Sequence, residues 1–273
     1  MEQLRQKAFE IRKHILESLT AAGSGHTGGS MGLADIFAVL YFHQLRHRPQ
    51  QPDWPQRDRL VLSIGHVAPV LYTTLALAGY FPTEELLQLR QFGSRLQGHP
   101  GREHGLPGIE LSAGSLGQGL SVALGMVLAD KMDQNDRRTF CILGDGELQE
   151  GSVWEAIMAA AHHRCHNLCA VVDRNGLQID GSTEAVMQLE PLAEKWRSFG
   201  WNTLEINGHH ITEIKEAFAK AEMEKQKPTV LLAKTIMGKG VRNIENDYRW
   251  HGKAPSEQEL SLFLNELKNS LGL

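Results

Sequence analysis

Two short polar turns carry the residues best suited to chemistry. Gly144-Asp145-Gly146 follows the apolar run Phe140-Cys141-Ile142-Leu143, and Asp173-Arg174-Asn175-Gly176 follows a second run, Leu168 to Val172. Between them Val153, Trp154, Ile157, Met158 and Ala161 recur at helical spacing and predict one apolar face. Strand, helix and strand make a βαβ unit, whose crossover is almost always right-handed and whose strands are parallel. Asp145 and Asn175 then leave the sheet at the same edge, where open α/β sheets bind ligands. A carboxylate and an amide oxygen are hard donors that suit Mg²⁺ or Ca²⁺ and not zinc. Gly and Asn are also common turn residues, so either turn alone reads as a plain connection. Their pairing after consecutive strands carries the cation reading.

The paired turns, with Asn175-Gly176-Leu177-Gln178-Ile179-Asp180-Gly181 completing the second, resemble the thiamine-diphosphate motif of transketolases. The resemblance implies Mg²⁺ (or Ca²⁺ in its place) bound by Asp145, the Asn175 side chain and the Leu177 carbonyl, with Gly144 and Gly146 beside the cofactor. Arg174 stands where the family often has a first asparagine. Other segments match in the family's order. Gly25-His26-Thr27-Gly28-Gly29 resembles the Gly-His loop, with Thr27 where proline is usual, a change expected to loosen the loop. Ser63-Ile64-Gly65-His66 and Gly98-His99-Pro100 match two more histidine elements, and Trp250-His251-Gly252 supplies a fourth. Gly114-Ser115-Leu116 resembles the loop that offers backbone groups and a packing residue to thiamine. By resemblance, His26 and His251 serve the substrate hydroxyl that loses its proton during C–C cleavage, His251 also bordering the cofactor. His99 lies near the donor's terminal hydroxyl and His66 near the diphosphate. Glu150 matches a glutamate beside the cofactor that couples subunits. Histidines titrating near neutral pH suit this traffic of protons.

The fold implied is α/β, a mainly parallel sheet with helices on both faces, forming a single diphosphate-binding domain over residues 1–273. Leu4, Ala8, Ile11, Ile15 and Leu19 predict an amphipathic first helix. Leu33, Ile36, Phe37, Leu40 and Tyr41 predict a second, capped by Ser30 after a glycine-rich loop. Leu60 to Ser63, Asn202 to Ile206 and Thr229 to Lys234 read as further strands, with helices at about 69–78 and 211–222. Ser256 and Glu259 form a capping box before a last helix with Leu260, Phe263, Leu264 and Leu267 on one face. Gly117, Ser121 and Gly125 make a small-residue stripe, read either as core packing or as a subunit contact.

The composition is that of an ordinary globular chain, 41% hydrophobic and 22% charged over 273 residues. A net charge of −4 gives no electrostatic ground for nucleic acid, no apolar run reaches membrane length, and three cysteines fit a reduced, cytoplasmic protein. The cluster from His162 to Cys169 is rich in soft ligands, but its spacing is no recognised zinc pattern, and Cys169 falls inside a predicted strand. His209-His210 reads as a polar turn. The sequence past His251 leaves no second βαβ series for the groups that complete a thiamine site. The expectation is therefore half of a split transketolase, paired with a separate C-terminal subunit in an α₂β₂ assembly and acting on a sugar or sugar phosphate. The alternatives are a cofactor-binding or regulatory subunit without catalysis, and a relative of deoxyxylulose-phosphate synthases.

Overall fold

The computed structural model describes residues 1–270. In chain order its elements are α1 (Glu2–Ala22), α2 (Thr27–Gly32), α3 (Ala34–Val39), β1 (Arg59–Leu62), α4 (Ala68–Leu77), α5 (Gly119–Met132) and β2 (Thr139–Gly144). There follow α6 (Gly151–His162), β3 (Leu168–Arg174), β4 (Leu177–Gln178), β5 (Gly181–Ser182), α7 (Thr183–Val186) and α8 (Leu192–Ser198). The last are β6 (Asn202–Asn207), α9 (Ile211–Met223), β7 (Thr229–Lys234) and α10 (Glu257–Ser270).

Five strands form one parallel sheet in the order β1-β2-β3-β7-β6, and β4 and β5 make a small antiparallel pair. The central strands are apolar without alternation because both faces are covered. Phe140, Ile142, Cys169, Val171 and Leu231 pack on one side with α1, α3, α4 and α9. Cys141, Leu143, Ala170, Val172 and Val230 pack on the other with α5, α6 and Trp196 of α8.

The same division positions the site. Chain leaving β1 and β7 turns to the first face, and chain leaving β2 and β3 turns to the second. Loops that part in this way open a crevice along the carboxyl edge of the sheet.

Several local expectations change. The glycine-rich stretch is not a loop throughout: α2 begins at Thr27, and Ser30 lies buried within it, its hydroxyl donating to the His26 carbonyl at 2.7 Å rather than capping a later helix. Three glycines in six residues hide the helix from any apolar period. In α6 the sheet-facing side is Val153, Ala156, Ile157 and Ala160, whereas Met158 is exposed. The small alanines let α6 sit close to the sheet, which turns the larger Met158 outward. Gly117 precedes α5 at φ 84°, while Ser121 and Gly125 lie on its exposed side, which removes the core-packing reading of that stripe. The apolar face of α10 turns inward: Phe263 and Leu267 are buried in the core beside α1, and the Phe263 ring lies 5.3 Å from Trp250. The capping box forms as expected, with the Ser256 amide donating to Glu259 at 2.8 Å and the Glu259 amide to Ser256 Oγ at 3.2 Å. Among the described residues no helix is long and apolar enough to cross a membrane.

Candidate active site

Asp145 and Asn175 meet where the sequence places them, at the ends of β2 and β3, whose register pairs Gly144 with Asp173. Asp145 is only 1% exposed. Its Oδ1 accepts the Gly146 amide at 2.8 Å, and its Oδ2 accepts the Gly176 amide at 2.7 Å and Arg174 Nη1 at 3.1 Å. Burial pushes the carboxyl up, and these donors work against the rise. Asn175 is held by its neighbours: Oδ1 accepts the Leu177 amide at 2.8 Å and Nδ2 donates to Asp173 Oδ2 at 2.8 Å. Asp173 accepts a further short bond from Thr235, and burial drives its carboxyl up to about 7, with the Asp145 charge adding to the rise. Thus Asp173 fixes the amide of Asn175 with its oxygen turned onto the Leu177 amide.

Asp145, Asp173 and Asn175 line a cavity of about 410 Å³ together with His26, His66, His99 and His251. Gly114, Leu116, Gly144, Gly146, Glu150 and Leu177 also line it, whereas Ser115 is exposed and falls outside the lining. Four loops bring the imidazoles together. Ring centroids lie 5.0 Å apart for His26–His66 and for His66–His251, 5.6 Å for His26–His251 and 6.3 Å for His26–His99. Burial first, then the neighbouring imidazoles, pushes His66 down to about 3 and His26 down to about 4. His99 and His251 are lowered too, both by burial. Burial thus favours the uncharged form of each ring, which can accept a proton at one nitrogen and donate at the other. The Nδ1 atoms of His26 and His251 are buried and meet no hydrogen-bond partner among the described residues, which fits polar groups kept for a ligand.

Several residues that sequence reasoning missed hold this geometry. Glu147, 2% exposed, accepts a short bond from Ser63, the Gly117 amide at 2.8 Å and the Gly144 amide at 3.2 Å, tying together the loops after β1, before α5 and after β2. Thr27 strengthens its loop instead of loosening it: the buried hydroxyl donates to the Lys253 carbonyl at 2.6 Å, joining the His26 and His251 segments. His209 lies in the predicted turn, with His210 exposed beside it, but it is partly buried and does more than connect. Its Nδ1 bonds Asp35 Oδ2 at 2.8 Å and its Nε2 accepts the Ile236 amide at 2.8 Å, which fixes the neutral tautomer with the proton on Nδ1. Burial works against the Asp35 charge, but Arg12 at 2.5 Å and His209 hold that carboxyl down to about 2. The chain Arg12–Asp35–His209 thereby pins the start of the β7 loop that carries Met237 and His251. Only the Gly-Asp-Gly-Glu run offered any signal for Glu147; Asp35 and His209 are 174 residues apart and offered none.

The soft-ligand cluster resolves into packing. Cys141, Cys165 and Cys169 are free and buried, and Cys169 points into the core from β3.

Asp145, Asn175 and Leu177 offer oxygen donors of the type a hard cation takes, and the four imidazoles line the same cavity. The family model described as transketolase, thiamine diphosphate binding domain, matches residues 4–273. The chain belongs to that family. It is 43% identical to a 6-deoxy-6-sulfo-D-fructose transketolase subunit of Clostridium sp., over 97% of this chain and 96% of that one. It is 40% identical to an apulose-4-phosphate transketolase subunit of Phocaeicola vulgatus, over 99% and 96%. Among solved structures, transketolase from Campylobacter jejuni superposes with a TM-score of 0.92 at 34% identity, covering all of this chain but 43% of that one. The chain therefore spans nearly the whole of the two subunits and less than half of the single-chain enzyme.

The residues present fit thiamine diphosphate with a hard divalent cation. A carboxylate with about four lone-pair sites has three donors placed on it, and the amide and carbonyl oxygens beside it are of the type Mg²⁺ takes.

Proposed function

We propose that this chain is the thiamine-diphosphate-binding half of a split transketolase, moving a two-carbon ketol unit from a ketose donor to an aldose acceptor. The observation that carries the reading is one cavity lined both by hard oxygen donors and by four clustered histidines. Thiamine diphosphate supplies the electron sink that cleavage beside a carbonyl requires. The rest of the work falls to the chain. Asp145, Asn175 and the Leu177 carbonyl hold Mg²⁺ and, through it, the diphosphate. His66, the deepest of the four, keeps water from that end and stays uncharged. His26 or His251 takes the hydroxyl proton as the C–C bond breaks and returns it to the acceptor aldehyde oxygen as the new bond forms. His99 orients the donor's terminal hydroxyl. Glu150 lines the cavity and is exposed, which supports assigning it the contact with a second subunit.

The relatives' names specify a sulfo sugar and a sugar phosphate, which favours a substrate with an anionic tail. Their subunit names, with the partial coverage of single-chain transketolases, favour a C-terminal partner that closes over the pyrimidine ring, in an α₂β₂ assembly located in the cytoplasm. The exposed side of α5, with Ser121 and Gly125, is the contact surface we assign to it. A ketol-transfer assay on this chain, on the partner and on their mixture tests the reading. Turnover is expected only in the mixture. Substantial turnover by this chain alone, with no partner detected by mass spectrometry, contradicts the split enzyme.

A further inference from the structure

Arg174 departs from the family motif, and its contacts give it a specific place in the cation site. It ends β3, directly before Asn175, and its guanidinium turns onto Asp145. Nη1 donates to Asp145 Oδ2 at 3.1 Å and to Thr183 Oγ1 at 2.8 Å. Nη2 donates to Glu184 at 3.0 Å and Glu190 at 2.9 Å. The side chain is 17% exposed. A permanent cation is thus clamped between the carboxylate that faces the metal turn and two carboxylates of the following segment. A guanidinium does not lose its proton in proteins, so this charge is present at every working pH.

The consequence follows from counting charges. Asp145 keeps a lone-pair site beyond its three donors, so a divalent cation can bind with Arg174 in place. A cation arriving alone then meets a carboxylate already neutralised and a like charge beside it. A cation arriving with a diphosphate brings negative oxygens that the same guanidinium attracts. Resting on the transketolase reading above, we propose that Arg174 is a built-in counter-ion that disfavours a lone divalent cation and favours the cation–diphosphate pair, so that metal and cofactor enter together. Glu184 and Glu190 set its strength by drawing part of the guanidinium's charge away from Asp145.

Calorimetric titration separates the two halves of the effect. MgCl₂ alone, and then thiamine diphosphate at saturating Mg²⁺, are titrated into the wild-type chain, Arg174→Gln, Arg174→Lys and the double variant Glu184→Gln/Glu190→Gln, with circular dichroism to verify folding. Arg174→Gln should bind Mg²⁺ alone about tenfold tighter, a gain of about 1.4 kcal/mol, while its thiamine-diphosphate affinity stays equal or falls. Arg174→Lys should resemble wild type. The double variant, whose arginine is less neutralised, should bind Mg²⁺ alone more weakly, and it decides the matter if Arg174→Gln does not fold. Unchanged or weaker Mg²⁺ binding by Arg174→Gln, or a tighter double variant, makes Arg174 a structural clip and overturns the proposal. A wild-type chain that takes up no thiamine diphosphate at saturating Mg²⁺ overturns the transketolase reading and this proposal with it. Uptake by wild type with no change in the variants overturns this proposal alone.

Discussion

At the scale of single residues, the histidine cluster makes stability depend on pH, and on the proposed reading it also carries the proton transfers. His66 and His26 have folded values of about 3 and 4, below the ordinary 6.5, because they are buried beside one another. As pH falls through 6.5 the unfolded chain takes up protons that the folded chain refuses. Their contribution to stability is therefore full above about 6.5 and is lost down to about 3–4. Asp173 works in the opposite sense: its folded value near 7 is raised, so its contribution to stability grows as pH falls from 7 toward the ordinary aspartate range. A variant comparison separates the two. Urea midpoints of wild type and His66→Gln at pH 7 and pH 4.5 should show a smaller acid loss in the variant; equal losses would mean that His66 is solvated. In the reconstituted enzyme, His26→Ala and His251→Ala should each lower kcat/KM by about 10²–10⁴ with little change in cofactor affinity. Near-normal turnover in either variant would make that histidine structural. These four histidines were legible in the sequence because each sits in a short segment with its own pattern. The contacts of Glu147 with Ser63 and Gly117, and of His209 with Asp35, were not, because those partners lie far away along the chain and no spacing records them.

At the scale of elements, the parallel strands and their crossovers were legible because both-face burial writes long apolar runs into β2, β3 and β7. The helix after His26 was not legible, because glycine carries no apolar period. That helix is set instead by hydrogen bonds to distant backbone: Thr27 to the Lys253 carbonyl, and the Gly238 amide to the Gly28 carbonyl at 2.9 Å. The threonine that replaces the family's proline is thus a tie between the loops that carry His26 and His251. Thr27→Val keeps the shape and removes the bond, and should cost about 1–2 kcal/mol in urea denaturation together with lower turnover. Unchanged stability would show that the hydroxyl is dispensable. His209→Ala acts at the same level. It frees the Ile236 amide and one oxygen of Asp35 and should cost about 1–3 kcal/mol.

At the scale of the whole molecule, the sheet edge determines what the chain can hold. Loops that part to opposite faces after β2 and β3 on one side, and after β1 and β7 on the other, open the crevice that gathers Asp145, Asn175 and the four histidines. On the proposed reading the pyrimidine end of the cofactor is covered by a second chain, and the exposed side of α5 is where that chain meets this one. Gly125 has nothing within 4 Å of the position a side chain would take, so Gly125→Arg should fold normally by circular dichroism yet fail to associate in light scattering. Full association would place the contact elsewhere. The most direct test of the central claim is calorimetric titration of thiamine diphosphate into this chain, with Mg²⁺, with EDTA in place of Mg²⁺, and with Mg²⁺ in the Asp145→Ala variant. The account predicts saturable binding in the first case, and its loss in the second and third with the fold intact. Equal affinity in Asp145→Ala would contradict it.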